Sequence, residues 1–266
     1  MEDSDIVKKP FRSLLKALDS FFNDDTTYYA ASLSFFTIFS LLPIIALLIS
    51  IISSLEIVQQ YHDIFVEYIF DILNPTHSKA FIQTFTDYIS NSNKLGFLGL
   101  LYMLFVFIMF FKDYEYIVNK IHNAKRKPLL QSFFFYLVFL ITLPLMLAAL
   151  NIALSFYENS FFNWFITFMF AWFIFFGLFK LSVNKPISFK AAAISSLFTL
   201  IVLSITKNLF VYYVIYNKTY TTIYGSLAIL LFSFFWIYIS WVIYLYGIKM
   251  CHRLNIQERI KNRAKD

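Results

Sequence analysis

The chain is poor in the residues that usually interrupt or cross-link a fold. Its 266 residues include only 5 glycines, 6 prolines and 1 cysteine. A single cysteine excludes an intrachain disulfide, and the scarcity of glycine and proline excludes collagen-like and low-complexity chains. Charged residues make up 14% of the chain, whereas a soluble domain carries roughly 25%. The composition therefore argues against a disordered chain and against an ordinary soluble protein.

Apolar sequence takes the place of the missing charge. Hydrophobic residues account for 59% of the chain, with 35 phenylalanines and 18 tyrosines. A helix needs about 20 mostly apolar residues to cross a bilayer core roughly 30 Å thick. We predict an all-α polytopic membrane protein, one domain over 1–266, with six transmembrane helices at about 27–53, 95–111 with a further turn, 131–156, 161–179, 191–214 and 224–248.

The distribution of lysine and arginine predicts the orientation of these spans. Cytoplasmic loops of membrane proteins carry an excess of basic residues. Of the 22 lysines and arginines, all but Lys79, Lys94, Lys207 and Lys218 fall on the side that holds both termini. We therefore expect both termini to be cytoplasmic, with a basic cytoplasmic tail over 249–266.

Two segments outside the spans have apolar residues at helical spacing. Residues 11–22 mix apolar and basic side chains, which is typical of a helix on the inner membrane surface or of one docked onto the bundle. The loop 54–94 predicts two amphipathic helices, separated at Asn74-Pro75 because proline removes a backbone donor. We predict that this outer amphipathic helical hairpin, between spans one and two, covers the mouth of the bundle.

Small residues and prolines inside the predicted spans mark candidate helix contacts and bends. Helices in lipid associate through close packing and interhelical hydrogen bonds, so small residues indicate contact faces. Pro43 in the first span and Pro144 in the third predict helix kinks. The sixth span carries small residues at seven-residue intervals, which predict one packing stripe: Ser226, Ser233, Ser240 and Gly247.

Lys207 is the one charged residue inside the predicted spans. A lysine at this depth either extends its ammonium to the interface or faces protein and water. If it faces inward, spans one, three, five and six line a polar interior. The candidate residues of that interior are Lys207, Asn151, Tyr224, Ser34 and Thr37. The alternative is that these polar groups only pack the helices together.

The residue types needed for catalysis are few and dispersed. The four histidines and the one cysteine show no zinc-ligand spacing. Phosphate-binding glycine loops and the serine-nucleophile motif are absent from the sequence. We interpret Asp63, Glu67 and Asp71 as a solvated helix face, and Asp113 and Glu115 as local charge balance at the membrane surface. We therefore predict no catalytic residue, cofactor or metal site. We also predict no nucleic-acid partner, because topology and anionic lipid explain the basic tail.

Two segments carry a family resemblance. The first is AASLSFFTIFSLLPIIALLISI at 30–51, and the second is YGSLAILLFSFFWIYISWVIYLYGIKM at 224–250. Together they resemble the opening and closing spans of the YihY/BrkB family of bacterial inner-membrane proteins. The resemblance covers about 11–253 and implies six spans.

Single residues between those segments extend the resemblance. The chain departs from the family at Gly247-Ile248-Lys249, where the family often has Gly-Ala-Glu, so a role for that acid is not carried over. Residues similar to the family's in kind and place are Asn119, Pro144, Lys185, Pro186 and Lys207.

The resemblance implies a membrane protein that moves, or helps to move, lipid-like or other solutes. The family was formerly labelled ribonuclease BN, for tRNA processing, and that label is regarded as a misassignment. Our leading hypothesis is a non-enzymatic transport or lipid-handling protein of the bacterial inner membrane, with membrane lipids as its partners. The alternatives are a structural or assembly partner in the membrane, and a tRNA-processing ribonuclease, which the lack of clustered cytoplasmic acids disfavours.

Overall fold

The computed structural model describes residues 25–54, 82–83, 87, 96–155, 159–216 and 227–263. These ranges contain helices, turns and loops but no strand. The all-α prediction is confirmed. The six long helices are α1 (Asp25–Ser54), α2 (Gly96–Ile121), α3 (Leu129–Ser155), α4 (Ser160–Leu181), α5 (Phe189–Tyr216) and α6 (Leu227–Arg263).

Each long helix contains most of one predicted span. Four of them, α3 to α6, are long and apolar enough to cross a membrane by length and composition. The described part of α2 includes Lys112, Asp113, Glu115 and Lys120 near its end, which raise its charge. The chain is thus a polytopic helical membrane protein, and the count of six spans stays a prediction.

Two helices continue well beyond their predicted spans. α2 ends at Ile121 rather than a turn after Phe111, and α6 ends at Arg263 rather than near Ile248. A hydropathy pattern detects only the apolar part of a helix. Polar turns extend the helix further where tertiary hydrogen bonds stabilise them. Most of the tail predicted at 249–266 is therefore a helical extension of α6.

The helices follow one another around a ring. α1 packs against α2 and α6, α6 against α5, and α5 against α4. α3 has less extensive contacts, with α2, α1 and α4. α6 also packs against α2, and its Tyr244 meets the rings of Phe175 and Phe179 on α4. The pairing of α3 with α4 is the weakest of these neighbour contacts, and it leaves a seam in the ring.

Buried apolar residues form two clusters of unequal size. The larger draws on all six helices and lies mainly toward the end where α2 passes into α3 and α4 into α5. We call this the loop end; its two loops are residues 122–128 and 182–188. The smaller cluster joins only α5 and α6 near the opposite end: Phe210, Ala228, Phe232 and Trp236.

Several predicted features lie outside the described residues. The surface helix at 11–22 and nearly all of the outer hairpin at 54–94 belong to this group, as do Tyr224 and Ser226. Pro43 lies inside α1 and is buried. Pro144 lies within helical backbone in α3. The predicted kinks at these two prolines stay predictions.

Candidate functional site

Glu115 caps a helix to which it does not belong. It lies on α2, is only 4% exposed, and its Oε1 accepts a hydrogen bond of 2.8 Å from the backbone N–H of Lys127. Its Oε2 accepts one of 2.8 Å from the hydroxyl of Ser132 in the first turn of α3. A carboxylate is favourable at a helix N-terminus, where backbone N–H groups lack partners and the dipole is positive. The carboxylate thus fixes the start of α3 against α2.

Asn119 joins the two loops at the loop end. This side chain is fully buried, and its Nδ2 donates to the carbonyls of Glu115 at 2.9 Å and Ser182 at 3.3 Å. Its Oδ1 accepts from the backbone N–H of Asn184 at 2.7 Å. The amide of Asn184 in turn donates to the carbonyl of Lys125 at 3.0 Å. One buried amide therefore holds the end of α2 to the α4–α5 loop.

Two lysines cap the helices that end here. Lys127 Nζ donates to the carbonyl of Leu181, the last residue of α4, at 2.9 Å. Lys185 Nζ donates to the carbonyls of His122, at 3.3 Å, and Asn123. Asn123 has a φ of 49°, and the helix ends through a hydrogen bond of 2.8 Å from Ala124 N to Asn119 O. This left-handed ending is one that asparagine tolerates, and cations complement the helix C-terminal carbonyls.

The polar extension of α6 is fastened to the same loop. Asn255 Oδ1 accepts from the backbone N–H of Ser188 at 2.9 Å, and the hydroxyl of Ser188 donates to Glu258. Arg259 donates to the carbonyl of Pro186. Ser188 also accepts from the backbone N–H of Ala191 at 3.1 Å, which caps the start of α5. These contacts explain why α6 remains helical beyond its apolar part.

His122 is a buried imidazole beside the two loops. It is 1% exposed; Nδ1 bonds the Val118 carbonyl at 3.1 Å, while Nε2 is buried and has no hydrogen-bond partner within the described ranges. The ring of His252 lies 5.2 Å away, centroid to centroid. Burial lowers the pKa of His122 to about 4, and the charges of His252 and Lys185 act in the same direction. The side chain is therefore neutral at pH 7.

An aromatic cluster fills the bundle next to these loops. The hydroxyls of Tyr114 on α2 and Tyr244 on α6 are 2.5 Å apart, and Tyr114 also donates to the hydroxyl of Ser182 at 3.3 Å. Tyr136 on α3 stacks on Phe111 with ring centroids 4.4 Å apart. These side chains pack α2, α3 and α6 together around a few paired hydroxyls.

The seam between α3 and α4 contains an open apolar groove of about 540 Å³. It lies in the part of the bundle remote from the loop end, because its α3 residues come from the second half of that helix. Both helices contribute only apolar side chains to it: Met146, Ala149, Leu150, Ala153, Phe165, Ile166, Met169, Phe170 and Phe173. Phe173 is 60% exposed and Phe165 is 45% exposed, so the groove opens to the outside of the ring.

The structure places the predicted polar interior on separate helix pairs. Lys207 is half-buried on α5, which packs against α4 and α6, whereas Asn151 lies on α3, which packs against α1, α2 and α4. Asn151 donates to its own helix, at the carbonyl of Leu147, 2.9 Å away. These two residues therefore lie on helices that share at most marginal contact.

The two polar residues predicted on α1 lie near α6. Ser34 and Thr37 donate to carbonyls one turn earlier, those of Ala30 at 2.5 Å and Leu33 at 2.6 Å. The hydroxyl of Thr37 also accepts from the indole N–H of Trp241 at 2.8 Å. Thr37 thus provides an interhelical hydrogen bond between α1 and α6.

The described members of the packing stripe lie on α6. Ser233 is buried, and Ser240 donates to the carbonyl of Trp236 at 2.8 Å. Gly247 faces Thr199 of α5 so closely that a Cβ built on Gly247 would lie 1.9 Å from the threonine Oγ1. Only a glycine allows the two helices to approach at this point.

The sequence interpretation of Glu115 as charge balance at the surface misses its cross-helix role. Asp113 is half-buried, but Glu115 is almost fully buried with both carboxylate oxygens hydrogen-bonded. The apolar spacing of Tyr114, Ile117 and Val118 continues the period of α2 past its charged residues, and this signal predicts the helical extension. The joining role of Asn119 is also missed, because its partners Ser182 and Asn184 follow more than 60 residues later and leave no local signal.

Among the described residues, no group of three or more histidines, cysteines, aspartates or glutamates is placed to hold a metal ion. The one buried carboxylate at the loops is already bound by the start of α3. The arrangement therefore positions helices, while the open seam offers an apolar binding surface.

Comparison with known proteins identifies the family. Residues 17–266 match the model of the family described as virulence factor BrkB. A UPF0761 membrane protein of Haemophilus influenzae is 27% identical over 246 residues, covering 87% of this chain and 91% of the relative. One from Vibrio campbellii is 25% identical over 265 residues, covering 93% and 82%. No solved structure matches the chain. The match over nearly the whole length confirms the predicted membership: the chain belongs to the BrkB family of membrane proteins.

Proposed function

We propose that this protein accommodates lipid acyl chains in the groove between α3 and α4, and takes part in the transport or handling of lipids. It would do so as a non-enzymatic, multi-pass protein of the bacterial inner membrane with both termini in the cytoplasm. The observation that carries the proposal is the groove itself. At about 540 Å³, it falls within the range of roughly 300–1,000 Å³ typical of ligand pockets.

The chemistry of the groove favours an acyl chain over a polar solute. All nine lining side chains are apolar, and burying a polar solute there without hydrogen bonds would cost several kcal/mol. The groove opens sideways, between two helices that are apolar enough to cross the membrane. In a bilayer, the surrounding solvent at that level consists of acyl chains. A lipid tail therefore enters without leaving its own environment.

The rival hypothesis is a structural partner whose helices are simply packed together. The loop end suits that hypothesis, because paired tyrosines and buried amides join its helices and loops. The α3–α4 seam does not, because a purely structural bundle gains van der Waals contact by closing such a gap. We therefore favour lipid handling at the seam, supported by a rigid loop end.

Filling the groove tests the proposal. Ala149→Trp and Ala153→Trp place an indole in the groove, whereas Ile152→Trp adds the same side chain at a position that is 45% exposed and outside the groove lining. In vesicles with a photoactivatable acyl-chain phospholipid, we expect the first two variants to lose crosslinking to α3 and α4. The control variant should crosslink as the wild type does.

The same variants connect binding to function in cells. We expect the groove-filling variants to reproduce the leaflet lipid composition of a deletion strain, and Ile152→Trp to restore the wild-type composition. Equal crosslinking by all three variants would contradict the proposed groove. Loss of crosslinking with a normal leaflet composition would show that acyl chains bind there without being handled.

The proposed orientation is tested at exposed positions. Cys251, the single cysteine, is fully buried, so it reports poorly on topology. Lys190→Cys at the loop end and Tyr216→Cys at the opposite end of α5 place thiols at exposed positions. An impermeant maleimide should label Tyr216→Cys in intact spheroplasts, and Lys190→Cys only after permeabilisation. The reverse pattern would invert the topology.

Substitution of Lys207 distinguishes the two hypotheses for the polar residues, which are a polar interior and simple helix packing. If its ammonium only extends to the interface, Lys207→Met should complement a deletion strain at normal membrane abundance. If the charge holds a lipid headgroup, Lys207→Met should fail to complement while Lys207→Arg keeps part of the activity, since the charge persists and its geometry changes.

A further inference from the structure

A smaller cavity lies between α2 and α3 at the loop end, separate from the α3–α4 groove. Its volume is about 90 Å³, which exceeds the roughly 10–15 Å³ that a single buried water needs. It is therefore large enough for a compact polar group. One wall of the cavity is apolar and is formed by Phe107, Ile108, Phe111 and Phe133.

The rim of this cavity is basic. Lys112, Arg126 and Lys127 line it together with Glu115 and Ser132. Both oxygens of the Glu115 carboxylate accept hydrogen bonds from the start of α3, so this negative charge is already compensated. The ammonium of Lys127 is directed to the carbonyl that ends α4. Lys112 and Arg126 remain as the cations available to an entering group.

The guanidinium of Arg126 lies at the cavity mouth and keeps most of its N–H donors available to a ligand. Its guanidinium lies 4.3 Å from the ring centroid of Tyr116, and Nη2 donates to the carbonyl of Lys112 at 3.4 Å. A guanidinium has five N–H donors in a planar fork that matches phosphate oxygens. One long hydrogen bond leaves most of that capacity for a ligand. Both Arg126 and Lys112 are exposed.

The position of the cavity along the helices determines which anion it meets. Phe111 ends the apolar run of α2 and Lys112 begins its polar extension, while α3 begins at Leu129 on the other side. The cavity therefore lies at the boundary between the hydrocarbon core and the headgroup layer. Basic pockets between transmembrane helices at this level bind anionic lipid headgroups.

We propose that this cavity binds the phosphate-bearing headgroup of an anionic phospholipid, with Lys112 and Arg126 as charge partners and the apolar wall against the first carbons of an acyl chain. Along α3, the nearest lining residues are Tyr136 of the cavity and Met146 of the groove, which lie about 15 Å apart at 1.5 Å per residue. The occupancy of the cavity does not depend on whether the groove carries lipid. A lipid bound here holds the outer surfaces of α2 and α3 together next to the cap formed by Glu115.

The test uses the full-length protein in detergent with added lipid, observed by native mass spectrometry. We expect phosphatidylglycerol to be retained more strongly than phosphatidylcholine. Lys112→Gln and Arg126→Gln should each weaken retention about fivefold, and the double variant about 25-fold, given the usual contribution of one basic residue near an anionic surface. Lys190→Gln, another exposed lysine at the loop end, is the matched control and should retain the lipid as the wild type does.

A further variant separates the cavity from long-range charge. Ile108→Trp fills the apolar wall without altering any charge, and it should weaken phosphatidylglycerol retention while leaving the weak retention of phosphatidylcholine unchanged. An equal loss in Lys190→Gln would overturn the proposal in favour of diffuse attraction. Displacement of the lipid by millimolar inorganic phosphate would also overturn it, because the site would then be a free-anion site.

Discussion

The loop end and the α3–α4 seam follow opposite principles of construction. At the loop end, helices are joined by buried amides, a carboxylate and lysines that pair with backbone groups at the helix termini. Along the seam, two apolar helices face each other across an open groove whose described lining side chains are all apolar. Among the described residues, the difference teaches that polar groups fix the geometry of the loop end. The seam, which depends on non-directional apolar contact, leaves an open apolar groove, whereas the cavity at the loop end is small and has a basic rim.

The largest expected effect comes from removing the amide that joins the loops. Asn119→Ala leaves the carbonyl of Ser182 and the N–H of Asn184 without their partner, and we expect a loss of about 2–5 kcal/mol in the free energy of unfolding. Asn151→Ala, beside the groove, removes only a bond within α3 and should cost less than about 1 kcal/mol. Unfolding in mixed micelles measures both. Similar losses for the two variants would erase the distinction between the regions.

The next effect is a dependence on pH that belongs to the loop end. The pKa of His122 is about 4 in the folded protein and about 6.5 in an unfolded chain. Between these values the unfolded state binds more protons, so stability is complete above about pH 6.5 and falls by up to about 3 kcal/mol toward pH 4.

His122→Asn isolates this contribution from that of the titrating carboxylates. The asparagine amide can still donate to the Val118 carbonyl, but it does not titrate. We expect the unfolding free energy of this variant to change less steeply between pH 6.5 and pH 4 than that of the wild type. Equal slopes for the variant and the wild type would show that protonation of the His122 imidazole does not destabilise the folded protein. His252→Asn, at a more exposed ring, should keep most of the wild-type slope.

A third test compares two glycines in apolar helices. Gly247→Ala forces a Cβ against Thr199, whereas a Cβ on Gly177 of α4 would meet no heavy atom within 4 Å. We expect Gly247→Ala to cost about 1–3 kcal/mol by overpacking, and Gly177→Ala to be neutral or slightly stabilising. The double variant Gly247→Ala with Thr199→Ala should recover part of the loss, because it removes the clashing hydroxyl. If the double variant recovers no stability, Thr199 is not the residue that clashes with the added Cβ.

The smallest effect concerns the two acids at the end of α2. Glu115→Gln keeps the shape of the side chain but removes its charge from the start of α3, and we expect a cost of about 1–2 kcal/mol. Asp113→Asn should change the unfolding free energy by less than about 0.5 kcal/mol, as is usual for substitutions away from buried networks. A larger effect at Asp113 than at Glu115 would restore the interpretation of both as surface charge.

The helices were predictable, and their junctions were not. Apolar runs predict membrane helices because lipid requires every backbone group to be satisfied within the segment, and α3 to α5 lie within about two residues of their predicted bounds. The extension of α6 depends on Asn255 and Glu258 meeting a loop about 70 residues earlier. No local pattern encodes such a pairing.

In the candidate sites, too, features within one helix were predictable and contacts between helices were not. The spacing of Gly247 with Ser233 and Ser240 predicted a small-residue face on α6, but not that Thr199 of α5 faces it. The groove was hidden for a different reason. α3 and α4 carry apolar residues around their whole circumference, so their sequences do not indicate which face touches a neighbour and which is left open.

The central position of α6 has a consequence for biogenesis. α6 packs against α1, α2 and α5. Half of the residues in its most apolar stretch are buried, which is the highest share among the four candidate spans. It is also the last of the six helices to leave the ribosome. We therefore expect the faces of α1 and α5 that contact α6 to lack this partner until the last helix has inserted. The final assembly step is then the arrival of one helix in a prepared gap, and a chain truncated before residue 227 should be cleared by membrane proteases rather than accumulate.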